Sequence, residues 1–121
     1  MAHGEALFST HVLDESLTKT REKREQQRQK QMKEAFAALE VLSERMDVQE
    51  VYLSGSLIKP HRFYEESDID FAFAGLKDQD FFQAIAFLSR KLGRDVDVIQ
   101  LEDSPLREKV VREGVKWRRT G

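Results

Sequence analysis

The chain has 121 residues, of which 40% are hydrophobic and 35% charged, with a net charge of −2 and no cysteine. This length predicts one domain with a modest core, and the near-neutral charge gives no general attraction to nucleic acid or anionic membranes. Without cysteine there are no disulfides, thiolate zinc sites or cysteine nucleophiles, so any metal would need oxygen or imidazole ligands. No apolar run is long enough to span a bilayer and no signal-peptide pattern is present, so we expect a cytoplasmic protein.

The first third of the sequence predicts one long helix, from about residue 14 to residue 46. Its middle, residues 18–31, has no apolar stripe, which is typical of a helix that projects into solvent, bridges to a partner or frays. Beyond it, apolar residues recur at three- and four-residue spacing and predict a core-facing stripe, made of Met32, Phe36, Leu39, Leu42 and Met46. We therefore divide the chain into an N-terminal extension with a polar helix arm, residues 1–31, and a globular domain, residues 32–121.

The rest of the chain alternates short strands and helices. Period-two patterns predict strands over residues 48–53, 68–74 and 96–101. Helical spacing predicts a helix from Asp78, as its N-cap, through residue 90, closed by Gly93. It predicts another over residues 106–117, opened by Ser104 and Pro105. The expected fold class is therefore α/β or α+β, a small sheet with helices packed on one face.

Three aspartates stand out in the second and third strands. Asp68 and Asp70 alternate with apolar residues, so they share the polar face of their strand, and Asp97 lies between two valines in the next one. One interpretation is a solvated edge strand. The other is a divalent metal site, because three carboxylates that converge on one point repel each other unless cations neutralise them. Oxygen ligands at that charge density suit Mg²⁺ or Mn²⁺.

A glycine turn follows the first strand. Gly55 and Ser56 stand at the point where backbone N–H groups and a hydroxyl can face an anion, although an ordinary turn has the same sequence. Lys59 and Arg62 are nearby cations that we predict to contact phosphate, while His61 is expected to be a surface residue. A phosphate site beside a Mg²⁺ site is the apparatus of nucleotidyl transfer.

The order of these motifs resembles the minimal nucleotidyltransferase domain of the DNA polymerase β superfamily. The resemblance covers residues 48–117 and rests on Leu53-Ser54-Gly55-Ser56, eleven intervening residues, Asp68-Ile69-Asp70-Phe71, and Val96-Asp97-Val98. It implies a mixed sheet, ATP as substrate and two Mg²⁺ ions, or Mn²⁺, held by Asp68, Asp70 and Asp97. Gly55 and Ser56 would bind the phosphates. An arginine common in the family after Gly-Ser is absent here, where Leu57 and Ile58 stand.

The resemblance also suggests a partner. Minimal nucleotidyltransferases are commonly paired with a small helical HEPN ribonuclease toxin, and act as antitoxins by attaching AMP to a toxin tyrosine. The polar helix is then a candidate arm for that partner. Two alternatives stay open: adenylylation of a small molecule or of a nucleic-acid end, and neutralisation by binding alone. We do not expect direct nucleic-acid binding, because the basic helix lacks interleaved aromatic residues for base stacking.

Overall fold

The computed structural model describes the backbone of residues 2–120 and the side chains of residues 15–120. The elements in chain order are α1 Ala2–Arg45, β1 Glu50–Ser54, β2 Ile69–Ala74, α2 Phe81–Leu92, β3 Val96–Gln100, α3 Arg107–Glu113 and β4 Val115–Arg118. Short 3₁₀ turns follow β1, precede α2 and follow β3. In the described part of the chain, no helix combines the length and the apolar character needed to cross a bilayer.

The four strands form one mixed sheet in the order β3-β2-β1-β4. β1 pairs antiparallel with both β2 and β4, whereas β2 and β3 run parallel. The parallel pair is connected through α2, because strands that run in the same direction need a crossover between them. The predicted fold class, an α+β domain with a small mixed sheet and a long N-terminal helix, is confirmed.

The core lies between one face of the sheet and the helices α1 and α2. The apolar residues that alternate along β2 are 0–1% exposed, and α1 and α2 contribute buried side chains from the predicted stripes, among them Leu39, Leu42 and Leu88. α1 and α2 thus share one face, as predicted for the helices, but the short α3 departs from that prediction: it lies on the opposite face, where Val110 packs with Tyr52, Ala72 and Leu101. The polar face of β2 therefore lies outside the main core and beside α3.

The C-terminal helix is the element where the prediction is wrong. α3 ends at Glu113, and the predicted second half of that helix is instead β4, paired with β1. The cause lies at Gly114, where a side chain would collide with the backbone carbonyl of Val110 and make a tight contact with that of Leu53. Because glycine has no side chain, the chain can turn here against β1. Trp117 is then buried, and its indole N–H donates to Glu40 of α1 at 2.9 Å.

The bounds of the other helices also differ from the predicted ones. α1 begins at Ala2 rather than near residue 14, and α2 begins at Phe81, after a 3₁₀ turn over Asp78–Asp80. The Asp78 side chain does not cap α2, since its Oδ1 accepts a hydrogen bond from Gln100 at 2.6 Å. α3 likewise begins at Arg107, with Leu106 rather than Ser104 at its N-cap position and no side-chain cap; the Ser104 hydroxyl accepts from the backbone N–H of Leu106 at 3.1 Å in the turn before the helix.

Candidate active site

Two of the three predicted carboxylates are neighbours in the sheet. The register pairs Asp70 of β2 with Asp97 of β3, and pairs Asp70 with Ser54 on its other side, in β1. Paired residues on adjacent strands lie about 5 Å apart and point to the same face of the sheet. Asp70 and Asp97 are therefore side by side on the face opposite the core, while Asp68 is exposed just before β2 begins.

The electrostatics of Asp70 reflect this crowding. Burial raises the pKa of the Asp70 carboxyl above its usual value, and the charges of Asp97 and then Asp68 raise the pKa further. Asp68 is thus close enough for its charge to act on Asp70. A half-buried carboxylate beside two others binds either a proton or a cation favourably, because both relieve the same repulsion.

The turn after β1 packs directly against the Asp70 carboxylate. Gly55 has φ +71°, in the left-handed region, and a Cβ added to it would collide with Oδ2 of Asp70. Glycine is therefore required at this position for two reasons, the left-handed backbone conformation and the close approach to the Asp70 carboxylate. Gly55 opens a 3₁₀ turn over Gly55–Ile58, in which the Ser56 carbonyl accepts from the Lys59 N–H at 3.1 Å.

These groups open into a cavity of about 240 Å³ between the glycine turn, the polar face of the sheet and α3. Four of the predicted site residues line it: Gly55, Lys59, Asp70 and Asp97. The other three predicted residues, Ser56, Arg62 and Asp68, are not part of its lining. The structure therefore gathers a glycine turn, one lysine and two carboxylates around one space.

Helix α3 adds cavity residues that the sequence reasoning missed. Lys109 and Glu113 lie one turn apart on the helix and both line the cavity, together with the exposed Leu106. Their four-residue spacing shows that they share a helix face. Nothing in the local sequence directs that face toward the aspartates, because its placement depends on how α3 folds back over the sheet.

The arrangement of the carboxylates determines how the predicted metal ions could be held. Within residues 15–120, no three or more Asp, Glu or His side chains are gathered closely enough to hold a metal ion by themselves. The Asp70–Asp97 pair nevertheless fits Mg²⁺ in donor chemistry. Mg²⁺ is commonly held by one or two carboxylates and completes its shell with substrate phosphates and water. The pair is thus suited to a cation that arrives with a phosphate ligand.

Comparison with known families identifies the class of protein. The model of the family described as "Polymerase beta, Nucleotidyltransferase" matches residues 38–116, a range that contains the glycine turn, the three aspartates and α3. The chain belongs to this polymerase β nucleotidyltransferase family. Among proteins of curated function, none matches the chain.

Three solved structures illustrate the similarity of the fold to known proteins. One is a crystal structure of the MntA–HpeT toxin–antitoxin, in a variant with two Asp-to-Glu substitutions two positions apart; it is 26% identical with a TM-score of 0.56, over 68% of this chain and 70% of that one. Another, described as a minimal nucleotidyltransferase, is 26% identical with a TM-score of 0.52, over 84% and 92% of the two chains. A Sulfolobus solfataricus protein described as a nucleotidyltransferase is 28% identical with a TM-score of 0.50, over 76% and 84%.

Proposed function

We propose that this nucleotidyltransferase domain transfers AMP from ATP, with Mg²⁺, to a tyrosine hydroxyl of a HEPN-type toxin and thereby acts as its antitoxin. The observation that carries the proposal is the Asp70–Asp97 pair, set in register beside the Gly55 turn and facing one cavity. Carboxylates in that position are costly to the fold, and they are useful where cations and phosphates bind.

Five of the cavity residues are assigned a role in this reaction. The Gly55 turn presents backbone N–H groups, and Lys59 and Lys109 present ammonium groups, toward the triphosphate. Asp70 and Asp97, with Asp68, would hold Mg²⁺, which when bound supplies charge neutralisation at the phosphates and acidifies the acceptor hydroxyl. Ser56 and Arg62 remain predicted phosphate contacts from outside the cavity lining.

The transfer itself needs a base for the acceptor proton. We assign this role to Asp97, which is exposed on β3 beside Asp70 and therefore accessible to an incoming hydroxyl. The acceptor oxygen forms a bond to the α-phosphorus, the bond from that phosphorus to the bridging oxygen breaks, and pyrophosphate leaves. The hydroxyl proton passes to the Asp97 carboxylate.

The toxin partner is supported by the similarity to the MntA–HpeT toxin–antitoxin. The Asp-to-Glu substitutions in that variant have the two-residue spacing of Asp68 and Asp70 here. Two surfaces are suited to contact a partner. One is formed by the exposed side chains of residues 15–24 on α1. The other is formed by the apolar Leu106, just before α3, and Val111 on α3, which are 54% and 47% exposed. The polar helix arm of residues 1–31 stays a proposed partner contact.

The experiment is to purify the protein with a small helical protein encoded beside its gene and to incubate both with Mg²⁺ and ATP labelled at the α-phosphate. We expect label on the partner, mapped by mass spectrometry to a tyrosine. The variant Asp97→Asn should lose transfer by roughly 10²–10⁴-fold. Asp95→Asn is the matched control, because Asp95 is an exposed aspartate two residues away and outside the cavity lining.

Other outcomes would contradict the proposal. Label on a small molecule or on RNA would assign a different acceptor. Neutralisation of the partner by Asp97→Asn, with no transfer by any form of the protein, would make it a binding antitoxin without catalysis.

A further inference from the structure

Arg28 lies in the polar section of α1 but is only 8% exposed. Its Nε donates to the two carboxylate oxygens of Glu25 at 2.8 and 3.0 Å, its Nη2 donates to Glu25 as well, and its Nη1 donates to the carbonyl of Leu57 at 2.9 Å. A buried guanidinium is costly unless its donors are satisfied. Because Glu25 satisfies the other donors of the buried guanidinium, Arg28 can also bond the backbone carbonyl of Leu57, in the turn that begins at Gly55.

Glu25 holds the same loop at a second point. Its Oε2 accepts from the backbone N–H of His61 at 3.2 Å. His61 has φ +63°, a left-handed conformation that is uncommon outside glycine and needs support from its surroundings. The hydrogen bonds from Arg28 are the main cause that lowers the pKa of Glu25 to about 2, so this carboxylate is ionised at neutral pH.

The two contacts fasten a short segment at both ends. Between Leu57 and His61 lie Ile58 and Lys59, the two residues of this segment that line the cavity. Glu25 and Arg28 themselves are not part of the cavity lining. Pro60 adds its own restriction to the backbone of the segment. The position of the lysine-bearing wall is therefore fixed from outside the cavity, by helix α1.

We propose that Glu25 and Arg28 are positioning residues, which hold the segment Leu57–His61 in place and so set the position of Lys59 at the cavity. The polar section of α1 thus packs on the domain through the charged groups of Glu25 and Arg28 instead of through apolar side chains. The consequence for nucleotide affinity depends on the proposed function, whereas the placement of the loop does not.

The test measures loop order and kinetics in the same variants. In Arg28→Met, which removes the buried charge at similar side-chain length, and in Glu25→Ala, hydrogen exchange at the amides of residues 58, 59, 61 and 62 should quicken about tenfold, as expected for the loss of a hydrogen bond to a charged group. The KM for ATP should rise by a similar factor, about tenfold, while kcat changes little, because the loop binds phosphates and the aspartates are undisturbed. Glu25→Gln keeps an acceptor for His61 and should restore part of the protection.

The matched control is Glu22→Ala, one turn earlier on the same helix at an exposed position. The inference is overturned if the amides of residues 58, 59, 61 and 62 exchange in Arg28→Met and Glu25→Ala as they do in Glu22→Ala, even where the free energy of unfolding falls. If the wild-type protein binds no nucleotide, the proposed function fails. In that case the exchange rates still decide whether Glu25 and Arg28 hold the segment Leu57–His61 in place.

Discussion

The packing of Gly55 against Asp70 predicts that replacing this glycine leaves the protein folded but strongly lowers its rate of AMP transfer. Gly55→Ala places a side chain in the left-handed region at φ +71°, a conformational cost of about 1–2 kcal/mol. The added Cβ also meets Oδ2 of Asp70, the far end of a side chain that can rotate away, which adds roughly 1 kcal/mol. The total loss of about 2–3 kcal/mol leaves a folded protein, but with the Asp70 carboxylate displaced.

A second glycine supplies the control. Gly93 also has a left-handed φ, +64°, at the C-terminal end of α2, but a Cβ built there meets no atom within 4 Å beyond the adjoining backbone. Gly93→Ala should therefore cost the same 1–2 kcal/mol from conformation alone. A displacement of Asp70 by about 1 Å is expected to reduce transfer by about 10²-fold, so only Gly55→Ala should lose activity.

The assay combines urea unfolding with the initial rate of AMP transfer for both variants and the wild type. We expect the two unfolding free energies to differ by about 1 kcal/mol and the rates to differ by about 10²-fold. Equal rates in Gly55→Ala and Gly93→Ala would refute the reasoning, because they would show that the close approach of Gly55 to Asp70 has no part in the reaction.

Three further predictions follow from other contacts. Because burial and the charges of Asp97 and Asp68 raise the pKa of Asp70 in the folded state, stability should fall as pH rises from the ordinary value of 3.8 through the raised one. Asp70→Asn should lack this fall in urea titrations at a series of pH values, and an unchanged pH profile would contradict it. Lys59→Met and Lys109→Met should each raise the KM for ATP about tenfold through loss of a charged phosphate contact; unchanged KM values in steady-state kinetics would exclude those contacts. Trp117→Phe should lower the unfolding free energy by about 1–2 kcal/mol through loss of the hydrogen bond to Glu40, and no change in thermal or urea unfolding would argue against the packing of β4.

Much of the site follows from local sequence pattern. The alternation of Ile69, Phe71 and Phe73 with the aspartates correctly predicts which face of β2 is buried. The meeting of Asp70 and Asp97 depends on β2 and β3 being neighbours, which the sequence could only suggest and the register confirms. The roles of these residues as ligands and base stay predictions for the assays above.

The parts that were missed depend on long-range contacts. The segment Val115–Arg118 carries the alternation of a strand, with Trp117 buried and Lys116 exposed, but it is short and follows a helical pattern. The segment forms a strand because it pairs with β1, and the close approach of the backbone at Gly114 makes this pairing possible. The contact of Arg28 with the Leu57 carbonyl likewise has no signal in a helix section that is polar all round.

Nucleotidyl transfer at the Asp70–Asp97 pair is tested by a single turnover with ATP labelled separately at the α- and γ-phosphates. We expect α-label on the acceptor, γ-label in released pyrophosphate, and loss of both in Asp70→Asn and Asp97→Asn but not in Asp95→Asn. Transfer of the γ-label, or transfer of the α-label that survives in Asp97→Asn, would contradict nucleotidyl transfer at the Asp70–Asp97 pair.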